Sequence, residues 1–204
     1  MGIPGKFAHM AKDQQMHADP ELDRLNQEVE TLRLELEAMG RRLAEAEHLA
    51  DRDALTPLYN RRAFMREVRR ALALTRRHQT PAAVIYLDMD GFKAINDTHG
   101  HAAGDACLVT VAEHLLAAVR ETDVVGRLGG DEFAILLLHA DAADAKVKAA
   151  TLVEAVTSQP VLFGERRITV GMTYGVREIS LADSAEQAVA EADAAMYLRK
   201  PNKA

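Results

Sequence analysis

Apolar residues recur at alternating spacings of three and four from Leu22 to Ala50. Leu22, Val29, Leu36, Leu43 and Ala50 hold one seam position, and Leu25, Leu32, Met39 and Ala46 hold the other. Such a stripe is narrower than the face a globular helix buries, and it predicts a parallel coiled coil. With Leu22 at position a, the pairs Glu28/Arg33 and Arg42/Glu47 attract across a dimer. A single amphipathic helix lying on its own domain is the other reading of the same stripe. Asp19-Pro20 marks the helix start.

Beyond residue 50 the period changes. Arg61 to about Arg77 reads as a helix. Ala82 to Leu87 is a continuous apolar run that ends on Asp88, as a buried strand would. A second helix runs from about Gly104 to Val119. Strand-like runs at Val124–Leu128 and Phe133–Leu138 flank Gly129-Gly130, which predicts a tight hairpin with glycine at positive φ. A third helix covers about Ala142–Val156. Two strands flank Gly164-Glu165, the second running Ile168–Val176, and the last helix spans about Ser184–Arg199. Helices alternating with strands around a hairpin predict an α/β (α+β) sandwich with a mixed, mostly antiparallel sheet.

Composition narrows the function. The 204 residues are 48% hydrophobic with a net charge of −6, enough for a core and against a broad nucleic-acid or membrane-surface role. Cys107 is the only cysteine, which leaves no disulfide framework and no cysteine zinc cage. No apolar run reaches membrane-spanning length and no signal peptide is visible, so the expectation is a cytoplasmic protein. Residues 1–10 read as an expression leader, residues 11–50 as the coiled-coil helix, and residues 51–204 as the catalytic or binding domain.

The candidate chemistry gathers on acids at strand ends. Asp131 and Glu132 follow the Gly129-Gly130 turn, and Asp88 closes the buried strand. Carboxylates with a backbone carbonyl form a hard-oxygen site that suits Mg²⁺ or Mn²⁺ shared with phosphates. The turn after that strand, Gly91-Phe92-Lys93, offers free N–H groups to a phosphate chain. His99-Gly100-His101 invites a metal hypothesis on composition alone, though two histidines are too few to define one.

Four ordered stretches give these residues a common frame. Gly129-Gly130-Asp131-Glu132-Phe133 resembles the signature of the GGDEF diguanylate cyclases. Asp53-Ala54-Leu55-Thr56-Pro57-Leu58-Tyr59-Asn60-Arg61-Arg62 resembles the family's lead-in motif. The run from Asp88 to Asp97, with Gly100-His101 and Gly104-Asp105, resembles its metal, phosphate and guanine segment. Ala192 to Lys200 resembles its last helix.

The resemblance implies a palm-like fold and the condensation of two GTP into cyclic di-GMP and two pyrophosphates across a homodimer. It implies two Mg²⁺ (or Mn²⁺) ions per site on Asp88, Asp131 and the Met89 carbonyl. Asp131, or Glu132, would help deprotonate the attacking hydroxyl. Phe92, Lys93, Gly130 and Lys200 would bind phosphate, and Asn96 and Asp105 would read guanine. His101 becomes structural. Arg120 and Asp123 match the family's inhibitory product site, which usually takes a second arginine from elsewhere. Pro57 stands where the family has glycine, Thr173 where serine is usual, and Ala204 where an arginine contacts phosphate, with Lys203 as its stand-in. The same resemblance therefore also admits a weak or inactive module that binds cyclic di-GMP or GTP.

Overall fold

The computed structural model describes residues 20–200, without the side chains of Pro20, Leu22 and residues 41–50. The leader assigned to residues 1–10, and Lys203 and Ala204, lie outside the described residues. So do the side chains of Leu43, Ala46, Ala50, Arg42 and Glu47. Two compact units divide near residue 50.

The first unit holds helix α1 (Pro20–Asp51) up to Leu49, and the helix's last two residues belong to the second. Proline opens it without cost, because the first turn has no partner for its missing N–H. Seam residues Leu25, Val29, Leu32, Leu36 and Met39 are all exposed on the single chain. Arg33 pairs within its own helix, at 2.9 Å from Glu30.

The second unit is built on a five-stranded sheet. Its strands are β1 (Tyr59–Asn60), β2 (Ala82–Asp90), β3 (Val124–Arg127), β4 (Glu132–Leu138) and β7 (Gly171–Glu178). They lie in the order β1-β3-β4-β2-β7, antiparallel except for the β1/β3 pair. Helices α2 (Arg61–His78) and α6 (Ala185–Tyr197) cover one face. Helices α4 (His101–Ala117) and α5 (Ala142–Thr157) cover the other. Both faces of β2 are thus buried, which explains its unbroken apolar run. The sandwich with a mostly antiparallel sheet is the fold the pattern implied.

Four local readings change. The predicted second strand at Ile168–Val176 is two strands: β6 (Arg166–Ile168) pairs only with β5 (Val161–Phe163), and β7 joins the main sheet. A short helix α3 (Phe92–His99) occupies what read as turns; it buries no residue fully, so it leaves no apolar signal. The two-residue β1 is too short for any period. Gly129 and Gly130 are absent from the positive-φ glycines, which are Gly91, Gly100 and Gly164. Glycine at 129 lets the Glu132 carboxylate fold back against the turn: a Cβ there would stand 2.2 Å from Glu132 Oε2 and push that side chain aside. Pro57 is accommodated, because outside glycine only Gln79 and His139 have positive φ among the described residues.

Candidate active site

Strand β2 carries Asp88 to the C-terminal end of the sheet's middle, opposite Glu132 on β4 and Thr173 on β7. The turn before β4 folds back so that the Met89 N–H donates to the Asp131 carbonyl at 3.1 Å. In a strand, a residue's N–H and C=O leave on the same side. The Met89 carbonyl therefore faces the same turn, and Asp88, Met89 and Asp131 converge as the motif spacing implied.

Asp88 is an acid in an apolar setting, with its side chain 6% exposed. Lys200 Nζ lies 2.8 Å from Asp88 Oδ1. The contact is an ion pair, and Oδ1 has no further partner among the described residues. Burial, foremost, pushes the Asp88 carboxyl above the ordinary range; Asp131 and Glu132 add to that push and Lys200 opposes it. For Lys200, burial works against the charge. The carboxylates of Asp88, Asp131 and Asp90 outweigh it and hold the ammonium above its ordinary value. A buried, under-bonded carboxylate beside a second acid fits a divalent cation. No three His, Cys, Asp or Glu side chains converge among the described residues. The residues that could hold such an ion are Asp88, Asp131 and the Met89 carbonyl, a hard-oxygen set that suits a divalent cation sharing its shell with water.

Because the Asp88 carboxyl is raised in the fold, its burial costs no stability below the unfolded value. The cost builds as pH rises above the unfolded value and is complete once pH passes the folded value. Asp88→Asn is therefore expected to raise Tm by roughly 2–4 °C at pH 8, the shift that about 1 kcal/mol produces in a domain of this size. The gain should vanish near pH 4, and thermal melts across pH check it.

Around this pair the substrate residues are held by short-range packing. Gly91 (φ 69°) turns the chain into α3, and no side chain caps that helix. The Phe92 and Lys93 N–H groups, in its first turn, have no intrahelical acceptor. Asn96 folds back over α4, where Gly104 leaves room: a Cβ there would stand 1.9 Å from Asn96 Oδ1 and 3.3 Å from Phe92 Cζ. Asp105, the next residue of α4 after the buried Gly104, is exposed. Gly104→Ala is accordingly expected to displace the Asn96 amide with little change in Tm; thermal melts and hydrogen exchange over residues 92–99 check it. Thr173 Oγ1 donates to Asp90 Oδ1 at 2.7 Å, so the threonine keeps the hydroxyl that serine would supply. Tyr86 is buried beside Glu132, and burial first, then that carboxylate, pushes its hydroxyl up so that it keeps its proton.

Arg120 and Asp123 sit together at the other end of the sheet. Asp123 N–H donates to the Arg120 carbonyl, and Arg120 N–H donates to Asp123 Oδ2, both at 3.0 Å. They line a cavity of about 400 Å³ with His139, Asp144, Lys148 and Thr151. Leu138, on its wall, is six residues along β4 from Glu132, so about 20 Å separates the cavity from the acids. Sequence reasoning missed Lys148, which projects from α5 and donates to the Ala118 carbonyl at the cavity's edge. It also missed Arg127, whose guanidinium donates to Asp53 Oδ1 at 2.9 Å and to the Gly130 carbonyl at 2.8 and 3.2 Å. Arg127 read as a strand residue; only its place two residues before Gly129 signalled more.

Comparisons with known proteins agree with this geometry. The family model described as "Diguanylate cyclase, GGDEF domain" matches residues 50–204. The diguanylate cyclase TpbB of Pseudomonas aeruginosa is 38% identical over 186 residues, covering 88% of this chain and 43% of that protein. The probable diguanylate cyclase DgcE of Escherichia coli is 36% identical over 159 residues, covering 78% of this chain and 14% of its own length. The chain thus spans less than half the length of these relatives. Among solved structures, the coiled coil and GGDEF domain of DgcB from Caulobacter crescentus, in complex with c-di-GMP, is similar with a TM-score of 0.76. It is 27% identical and covers 86% of this chain and 94% of that one. The GGDEF domain of P. aeruginosa TpbB gives a TM-score of 0.69 at 39% identity, covering 73% and 88%. With four motifs converging on one sheet end and a family match over three quarters of the sequence, the chain belongs to the GGDEF family of diguanylate cyclases.

Proposed function

We propose that this chain condenses two GTP into one cyclic di-GMP and two pyrophosphates, each domain contributing one bound GTP. The observation that carries this reading is the buried Asp88, opposite Glu132 in the sheet and near enough to Asp131 to feel its charge, beside the Met89 carbonyl. Those groups would hold Mg²⁺ or Mn²⁺, two ions per site. When bound, the metal supplies positive charge that stabilises the attacking and leaving oxygens of an in-line displacement. Asn96 and Asp105 take the guanine edge, the carboxylate accepting from N1–H and N2–H₂. Adenine has no donor at N1, and it leaves that acid unpaired at a cost of about 1–3 kcal/mol. The Phe92 and Lys93 N–H groups and the Gly130 backbone cradle the triphosphate. Lys200 moves from Asp88 to phosphate. The 3′-hydroxyl of each GTP attacks the α-phosphorus of the other, its proton passing to Asp131 or Glu132, and pyrophosphate departs. Positioning supplies most of the rate, because the protein forms no bond to substrate.

The exposed seam of α1 pairs with a second copy of itself as a parallel coiled coil, which keeps two domains at high mutual concentration. Product returns to Arg120 and Asp123 as an inhibitor, with Lys148 as a further cation on the cavity wall. DgcB, a relative with a coiled coil and a GGDEF domain, was crystallised with c-di-GMP, which favours that ligand here. No helix among the described residues is long and apolar enough to cross a membrane. GTP as substrate places the domain in the cytoplasm. The reading is tested by incubating the chain with GTP and Mg²⁺: two pyrophosphates per cyclic dinucleotide, and inhibition by added cyclic di-GMP, are expected.

A further inference from the structure

We infer that Arg127 is a positioning residue that sets the direction of Asp131 and makes it depend on the segment joining α1 to the domain. The inference rests on the cyclase reading of the Asp88/Asp131 site. Its basis is how the two peptide groups flanking the Asp131 Cα are held. The carbonyl before it, Gly130 C=O, accepts from Arg127 Nη2 at 2.8 Å and Nε at 3.2 Å. The carbonyl after it, Asp131 C=O, accepts from Met89 N–H at 3.1 Å. Fixing both peptide planes fixes φ and ψ of Asp131, and therefore the direction in which its Cα–Cβ bond leaves the turn. The second anchor is rigid, because β2 is the buried centre of the sheet. The first is as firm as Arg127.

Arg127 is itself held from the lead-in turn. Its Nη1 donates to Asp53 Oδ1 at 2.9 Å, and both side chains are largely buried. The same oxygen accepts from the N–H groups of Leu55 and Thr56 at 3.2 and 2.9 Å and from Thr56 Oγ1 at 2.8 Å. Asp53 N–H donates to the Leu58 carbonyl at 2.9 Å, closing that turn. Two residues upstream, Asp51, the last residue of α1, takes two bonds from Arg66 on α2, at 3.0 and 2.7 Å. Two anchors, Asp51 on Arg66 and Asp53 on Arg127, thus hold the short backbone stretch that leads from the end of α1 to the arginine gripping the carbonyl before Asp131. A displacement of the lead-in segment would change the Asp53–Arg127 contact first and the acid next. Misplacing a reacting group by about 1 Å costs roughly 100-fold in rate.

The test uses the full chain with Arg127→Lys, Arg127→Gln and Asp53→Asn. Lysine keeps the charge beside Asp53, but one nitrogen cannot stand where three do. Arg127→Lys is expected to melt within a few degrees of the unaltered chain. Its kcat should fall about 10- to 100-fold, with the KM for GTP within about 3-fold, because Asn96, Asp105 and the Phe92 turn are untouched. Hydrogen exchange at residues 128–132 should speed up in both Arg127 variants. Asp53→Asn should lower kcat too, and Asp53→Asn with Arg127→Lys should lose little beyond the larger single effect. Full kcat in Arg127→Lys, unchanged exchange at the turn, or fully additive losses would overturn the inference. If the unaltered chain forms no cyclic di-GMP, the cyclase reading fails, and the exchange at 128–132 still decides whether Arg127 holds the turn.

Discussion

Asp131→Ala is expected to lower turnover of GTP by roughly 1,000-fold or more while leaving cyclic di-GMP binding at Arg120 and Asp123 intact. Asp131 acts on the Asp88 carboxyl at the end of β2, beside the Met89 carbonyl. Removing it leaves Asp88 as the sole anionic ligand for a divalent cation. Glu132 does not replace it, because its carboxylate lies back against Gly129, 2.2 Å from where a Cβ would be. The loss is not a loss of fold. Asp131 raises the Asp88 carboxyl, so its removal relieves repulsion between two acids. The cavity beside Arg120 and Asp123 lies about 20 Å along β4 and shares no residue with the acids. Turnover and calorimetric titration with cyclic di-GMP, run on the same preparation, read the two arms. Retained turnover within 10-fold would remove Asp131 from the metal site. Loss of both arms would mean that the variant is misfolded or that the two sites are one.

Removing residues 1–49 is expected to make activity depend on protein concentration. The cut falls at the boundary between the two compact units and keeps the Asp51–Arg66 clamp. With α1 paired, the second domain is present at an effective concentration of order millimolar. Without it, domains at about 0.1 µM must meet by diffusion, and specific activity should fall roughly 100-fold or more. Raising the shortened chain's concentration should restore activity steeply, since two domains supply one product. The full chain's specific activity should stay flat over the same range. Product formation measured across a dilution series checks both. A shortened chain as active as the full chain at low concentration would contradict a seam-driven dimer.

Much of the fold was legible because long elements have long periods. The apolar run of β2 and the helices α2, α4, α5 and α6 appear in the sequence near their observed bounds. What escaped is short or half-buried. The helix α3 buries no residue fully, and β1 has two residues, so neither leaves a hydrophobic pattern. The strand read at Ile168–Val176 broke because β6 and β7 pair with different partners, and pairing is not written in a single strand. At the site, the acids were legible through motif spacing. The reason for Gly129 was not. A glycine pair suggests φ, whereas here Gly129 makes room for a carboxylate folded back from Glu132. Arg127 and Lys148 escaped for a related reason: each acts on a carbonyl brought near by tertiary contact, and charge along the chain does not say which backbone oxygen it will meet.

The central claim is that Asp88 and Asp131 on two paired domains turn GTP into cyclic di-GMP. The most direct measurement is chromatography of the products from GTP and Mg²⁺, with the unaltered chain and Asp131→Ala side by side after bound nucleotide has been stripped. The account predicts cyclic di-GMP from the unaltered chain, less of it as cyclic di-GMP is added beforehand, and none from Asp131→Ala. No product from a stripped, dimeric, unaltered chain would contradict it and leave a module that binds nucleotide without turning it over.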